Sequence, residues 1–188
     1  MKYLALCFAL LLFSSCSKDY TSVDEYMAYP VKYAKINISD PTNDFALSIP
    51  KSWFWKTEQY ETKAILFGIV AGSSDTTSGY TRILSVEKNK SDEANADLEK
   101  EYNASMKRFE GHPNLKVVES GATQLSNYKA YFIHTKSVTD NSIETISYIV
   151  KGKEKNTFYS LTASCQLQDG LKQNMAMMIQ SLNSFKYN

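Results

Sequence analysis

The chain carries three cysteines and two histidines in 188 residues, and nucleophilic catalysis needs a thiol or hydroxyl with a base beside it. Cys7 lies inside an apolar N-terminal run, Cys16 marks its end, and Cys165 stands far off in "FYSLTASCQL", at the end of an apolar strand. There Cys165 reads as a small buried hydrophobe rather than a nucleophile. His112 falls in "EGHPN", a helix-ending turn, and His134 falls in the alternating "YKAYFIHTKSV" on the face of Phe132 and Lys136. His134 reads as a half-exposed strand residue. Neither histidine has a cysteine or second histidine at ligand spacing, so no zinc set is visible. With seven glycines and no phosphate-cradling loop, nucleotide chemistry is also disfavoured. Asp92, Glu93, Asp97, Glu99 and Glu101 scatter around a helix axis and read as a solvated face that favours the helix dipole. The expectation is a protein that is not an enzyme and uses no cofactor or metal. A carboxylate pair assembled only in three dimensions stays open.

Cys16 is the position with a definite covalent chemistry. Met1 and Lys2 give a short positive start, and Tyr3 to Phe13 form an apolar run. That run is too short for a bilayer span of about 20 residues but fits a secretory h-region. Phe13-Ser14-Ser15-Cys16 resembles a bacterial lipobox, with Phe13 departing from the usual aliphatic first position. The resemblance implies a thioether-linked lipid on Cys16, cleavage after Ser15 and a further acyl chain on the freed amine. Each buried methylene contributes about 0.8 kcal/mol, so two or three chains hold where one would leave. The expected division is a signal peptide over residues 1–15, a lipidated cysteine and flexible tether over 16–35, and a folded domain over 36–188. The expected home is the bacterial cell envelope, at the outer membrane. Asp19, Asp24 and Glu25 follow the cysteine as acids do in some Bacteroidetes-type lipoproteins, and Asp75-Thr76-Thr77 resembles the O-glycosylation acceptor of those bacteria. The acids are too sparse to choose between periplasm and exterior, and an ordinary loop is the preferred reading of the tripeptide, which arises often by chance.

The 21 basic and 20 acidic side chains nearly cancel, and loss of residues 1–15 removes only Lys2, leaving 20 against 20. Nucleic-acid binding needs clustered, unopposed Lys and Arg, so no such partner is expected. After the tether, with one short helical turn at Val23 to Ala28, "DFALSIP" alternates Phe45, Leu47 and Ile49 against Ala46 and Ser48. That is a half-buried strand stopped by Pro50. "TKAILFGIVAG" is a nearly continuous apolar run and suits a strand covered on both faces. "YTRILSVEKN" alternates again. Ser91 then caps a helix through about Phe109, with Ala94, Leu98, Tyr102, Met106 and Phe109 on one side. Four strands follow as a meander, and Leu167, Leu171, Met175, Met178, Leu182 and Phe185 form the stripe of a closing helix. The class is α+β: an antiparallel sheet packed with a mid-chain helix and a C-terminal helix.

This order resembles the PsbP-like fold, which includes the photosystem oxygen-evolving accessory protein, the Mog-type nuclear transport factor and DcrB-like bacterial lipoproteins. The residues that carry the resemblance are Phe45, Leu47, Ile49, Pro50 and Trp53 at the start, Tyr159, Leu161 and Thr162 in the last long strand, and Phe185 at the end. It implies a non-enzymatic accessory or binding domain. It transfers no site, because members of the group bind unrelated partners through different surfaces.

The candidate partner-binding residues lie in "PKSWFWKTEQY". In an extended segment Trp53 and Trp55 share one side and Phe54 faces the other. Trp53 reads as core. Trp55 reads equally as core or as an exposed anchor, with Phe54 and Tyr60 beside it as candidates. Three functions follow. One is a membrane-tethered accessory module that binds an envelope protein. The alternative is a small-ligand or lipid-binding lipoprotein with a pocket between sheet and helices. The third, an unrecognised hydrolase, needs His134 or Cys165 to converge with carboxylates in a cleft.

Overall fold

The computed structural model of the chain describes residues 20–60, 64–73, 82–91, 97–139, 143–166 and 170–188. The apolar start with Cys7 and Cys16, the tripeptide Asp75-Thr76-Thr77, and the acids Asp92 and Glu93 lie outside the described residues.

Helix α1 (Val23–Ala28) comes first. Ser22 and Glu25 form a reciprocal capping box, and the Ser22 N–H donates to the Glu25 carboxylate at 2.6 Å. A helix of six residues is marginal by itself. Tertiary contact holds it, because Val23 and Tyr26 are buried in the main core. The expected flexible tether through residue 35 is corrected here. Gln180 donates to the Tyr29 carbonyl at 3.1 Å and the Tyr33 hydroxyl lies 2.9 Å from Ser181 Oγ. The segment looked like a linker because just two of its side chains enter the core, too few to show a period.

Strands β1 (Lys35–Ser39) and β2 (Phe45–Pro50) pair antiparallel, and the chain end returns as β10 (Lys186–Tyr187) on the other side of β2. The remaining strands are β3 (Phe54–Glu58), β4 (Ile65–Gly72), β5 (Ile83–Lys90), β6 (Leu115–Leu125), β7 (Tyr128–Ser137), β8 (Ile143–Lys151) and β9 (Thr157–Gln166). They form one seven-stranded antiparallel sheet in the order β3-β4-β5-β9-β8-β7-β6. Two sheets thus stand where one was expected, because β2 turns away after Pro50 and pairs with the chain terminus.

Helix α2 (Leu98–Glu110) packs Tyr102, Met106 and Phe109 on the outer face of the large sheet near β6, β7 and β8. Asp97 caps it, accepting from the Glu99 N–H at 2.8 Å, so the expected cap at Ser91 is wrong; the Ser91 hydroxyl bonds Glu101 instead. Helix α3 (Leu171–Leu182) packs on the inner face together with α1 and the small sheet. Its Met175, Met178, Ile179 and Leu182 are core, while Phe185 of the predicted stripe is buried three residues past the helix end. Gly170 before α3 has φ of 82°, a left-handed conformation that glycine adopts without Cβ strain. Lys88 of β5 ties the layers together through Asp44 at 2.6 Å and Glu154 at 2.7 Å. Burial disfavours its charge, but those two hydrogen bonds outweigh burial and hold its ammonium above the usual range. The result is the expected α+β sandwich. One expectation for β4 fails: Phe67, Ile69 and Ala71 face the core, but Leu66 is 38% exposed on the outer face.

Candidate functional site

The candidate binding segment forms β3, the edge of the large sheet, and four of its five residues are exposed. Register decides which way each side chain points, since residues directly opposite share a face. Trp55 pairs with Ala71, a core residue, so Trp55 lies on the inner face. Trp53, two residues earlier on that face, is buried, whereas Trp55 has run past the rim of the core and is 40% exposed. Phe54 pairs with Gly72 on the outer face and is 53% exposed. Its ring lies over that glycine, where an added Cβ would come within 3.2 Å of Phe54 Cζ. Tyr60 lies over Gly68 in the same manner, at 3.0 Å. Structure therefore brings Phe54 and Tyr60 to one face and sets Trp55 on the other. Burial and a hydrogen bond to Glu58 push the Tyr60 hydroxyl up to about 12. The Glu58 carboxyl is held below the usual range by its bonds to Lys56 and Tyr60, and burial with the Glu58 charge nearby raises Glu87.

At the opposite end of the sheet lies a cluster that sequence reasoning missed. His134, expected half-exposed, is fully buried. The tight turn at Ser126–Asn127 sets the β6–β7 register, which places Glu119 opposite His134, with a bulge immediately after. Glu144 of β8 sits diagonally from His134. The His134 Nε2–H donates to Glu144 Oε1 at 2.8 Å, and the Tyr26 hydroxyl donates to the same oxygen at 2.7 Å. Glu119 Oε1 accepts from the Val23 N–H at 2.6 Å and lies 3.6 Å from His134 Nδ1. Among the described residues His134 Nδ1 and Glu144 Oε2 have no hydrogen bond, and Lys136 Nζ stands 3.4 Å from the latter. Burial alone would raise the Glu144 carboxyl; the bonds from His134 and Tyr26 and the Lys136 charge overcome it and hold the group below its usual range. Cys165 pairs with Glu144 across β8–β9, and burial pushes its thiol up to about 11. This is a His–carboxylate–Tyr constellation, yet α1 closes it and the thiol beside it stays protonated. A readable signal existed: Glu144 falls in phase with Ile146, Tyr148 and Val150, an acid at a core position.

No family model and no curated protein matches the chain. Solved structures do. CyanoP, the cyanobacterial PsbP of Synechocystis sp. PCC 6803, superposes with a TM-score of 0.60 at 12% identity, covering 84% of this chain and 95% of that one. The fold is PsbP-like. The Ran-binding protein Mog1p of Saccharomyces cerevisiae has a TM-score of 0.55 at 7% identity over 82% and 96% of the two chains. LpqN of Mycobacterium tuberculosis, involved in cell envelope biogenesis, has a TM-score of 0.54 at 10% identity over 90% and 99%. On this PsbP-like frame the core markers Phe45, Leu47, Ile49, Tyr159, Leu161 and Phe185 are all buried. His112 stays exposed in the turn after α2, where its Nδ1 accepts from the Asn114 N–H at 3.3 Å.

Proposed function

We propose that the protein is a lipid-anchored module of the bacterial envelope, outer-membrane in location, that binds a protein partner and catalyses no reaction. The observation that supports docking most directly is the β3 edge, where two large aromatic side chains are exposed on a strand with one unpaired side among the described strands. Aromatic anchors dominate interface energetics, and an open edge offers backbone donors and acceptors to an added strand. That the structural neighbour Mog1p is a Ran-binding protein is in keeping with a protein partner. The non-catalytic reading draws support from the closed setting of His134 and the raised thiol of Cys165. The anchor rests on Cys16 and the small residues before it.

A photo-crosslinker placed at Thr57 in the native host tests docking. The expected result is one discrete crosslinked partner that disappears with Trp55→Ala and persists with Lys129→Ala at the far end of the sheet. Equal crosslinking in both variants would remove the named surface. Intact mass of the purified protein tests the anchor: acyl chains on Cys16 and loss of 15 residues are expected.

A further inference from the structure

Helix α1 shortens the proposed tether. Ser17, Lys18 and Asp19 are all that separates Cys16 from Tyr20, and those four chain steps, fully extended, reach at most about 14 Å. The fold takes hold of the chain at once. The Tyr20 ring meets the His134 ring edge-on, with centroids 5.7 Å apart. The Val23 N–H then donates to Glu119 at 2.6 Å, and the Tyr26 hydroxyl donates to Glu144 at 2.7 Å. Glu144 is fully buried, so water does not compete for the Tyr26 bond. Farther on, Gln180 holds the Tyr29 carbonyl at 3.1 Å, and the Tyr33 hydroxyl donates to the Met177 carbonyl at 3.2 Å. Order thus begins at residue 20, and the segment up to β1 gives the body no slack.

Tyr20 lines a concavity with Lys136 and Leu171, at the rim where β7 ends and α3 begins. Val138 stands at the same rim, two residues past Lys136, its N–H donating to the Asn114 carbonyl at 3.0 Å. At 60% exposure it is the most open of the described large apolar side chains. On the reading that Cys16 carries the lipid, we propose that this rim rests on the lipid headgroups, with Tyr20 and Val138 at the contact. The body then stands on the leaflet instead of swinging from a stalk. An open apolar side chain at that place gains by entering the interface beside the anchor. The docking edge is carried along. One row of paired residues crosses the sheet through Trp55, Ala71, Leu84, Ala163, Ile146 and His134. Strand spacings of about 4.8 Å place Trp55 about 24 Å to the side of His134. A partner of the β3 edge is therefore met beside the membrane.

The test uses the full chain purified from its native host and set in vesicles of phosphatidylethanolamine and phosphatidylglycerol, with an acceptor dye on some headgroups. Its intact mass is recorded first. A maleimide donor dye is placed at Val138→Cys or at Lys129→Cys; the native Cys165 is buried and takes none. Lys129 is exposed and stands nine residues back along the chain, toward the start of β7. That separation of about 30 Å is expected to make energy transfer to the headgroups at least about twofold stronger from position 138. Inserting about twelve Gly and Ser residues between Asp19 and Tyr20 lengthens the leash with a flexible coil. It is expected to lower transfer from position 138 to the level of position 129, with thermal unfolding unchanged. Equal transfer from the two positions in acylated protein would overturn the proposed stance while leaving the anchor in place. So would a signal at position 138 that the insertion does not change. A mass without acyl chains would overturn the anchor and the stance together.

Discussion

The two ends of the seven-stranded sheet are finished in opposite ways. At the β6–β8 end α2 covers the outer face and α1 the inner, and the enclosed polar groups, Tyr26, His134 and Glu144, bond one another. β3 and β6 each have one unpaired side among the described strands, but at the β3 end Phe54 and Trp55 project, exposed, from the two faces. A carboxylate taken out of water is a liability unless its partners come with it. An aromatic ring left in water is unused apolar area. The first arrangement holds the fold together; the second leaves binding free energy for something else. A conspicuous chemical constellation and the proposed docking surface thus occupy different ends of one sheet.

The sharpest way to break this contrast is Glu144→Ala. It strands the Tyr26 hydroxyl and the His134 ring in a buried site, and a loss of about 3–5 kcal/mol in denaturant-derived stability is expected. A loss under about 1 kcal/mol would mean that the closed end is not held by this network. The acid limb of stability gives a second, smaller test. The folded Glu144 carboxyl titrates below its ordinary value of 4.5. Its contribution is therefore present above that value and is lost as pH falls through the lower, folded one. Glu144→Gln should flatten the wild-type decline below about pH 4.5; an unchanged slope would assign the decline to other carboxyls, such as Asp44, which is also depressed by Lys88 and Thr42 against the effect of burial. The smallest effects belong to the open end. Trp55→Ala and Phe54→Ala should each cost less than about 1 kcal/mol by thermal unfolding, far below the 3–5 typical of a buried ring. A cost near the buried value for Trp55 would make it a core residue and remove it as an anchor.

Much of the fold was legible. Alternation marked β2, β5 and β7–β9, the four-three spacing marked α2 and α3, and Trp53 after the strand-ending proline is core. The candidate anchors were legible as a segment, since strand alternation alone separates Trp55 from Phe54. What stayed hidden was contact between distant segments. Tyr26 reaches Glu144 across 118 positions, and no local period reports such a pairing. The polar stretch before β1 hid its docking because its capping box and two core side chains occupy barely two turns.

By itself the sequence determined what each element buries: periodicity of apolar side chains follows directly from the geometry of helix and strand, and burial of that area is the main force of folding. The proposed anchor at Cys16 likewise rests on neighbours along the chain. Tertiary structure alone decided which end of the sheet is covered and which histidine is sealed. Those outcomes depend on register and on the docking of α1 and β10 against the rest of the fold, and register is a property of pairs of segments rather than of either one.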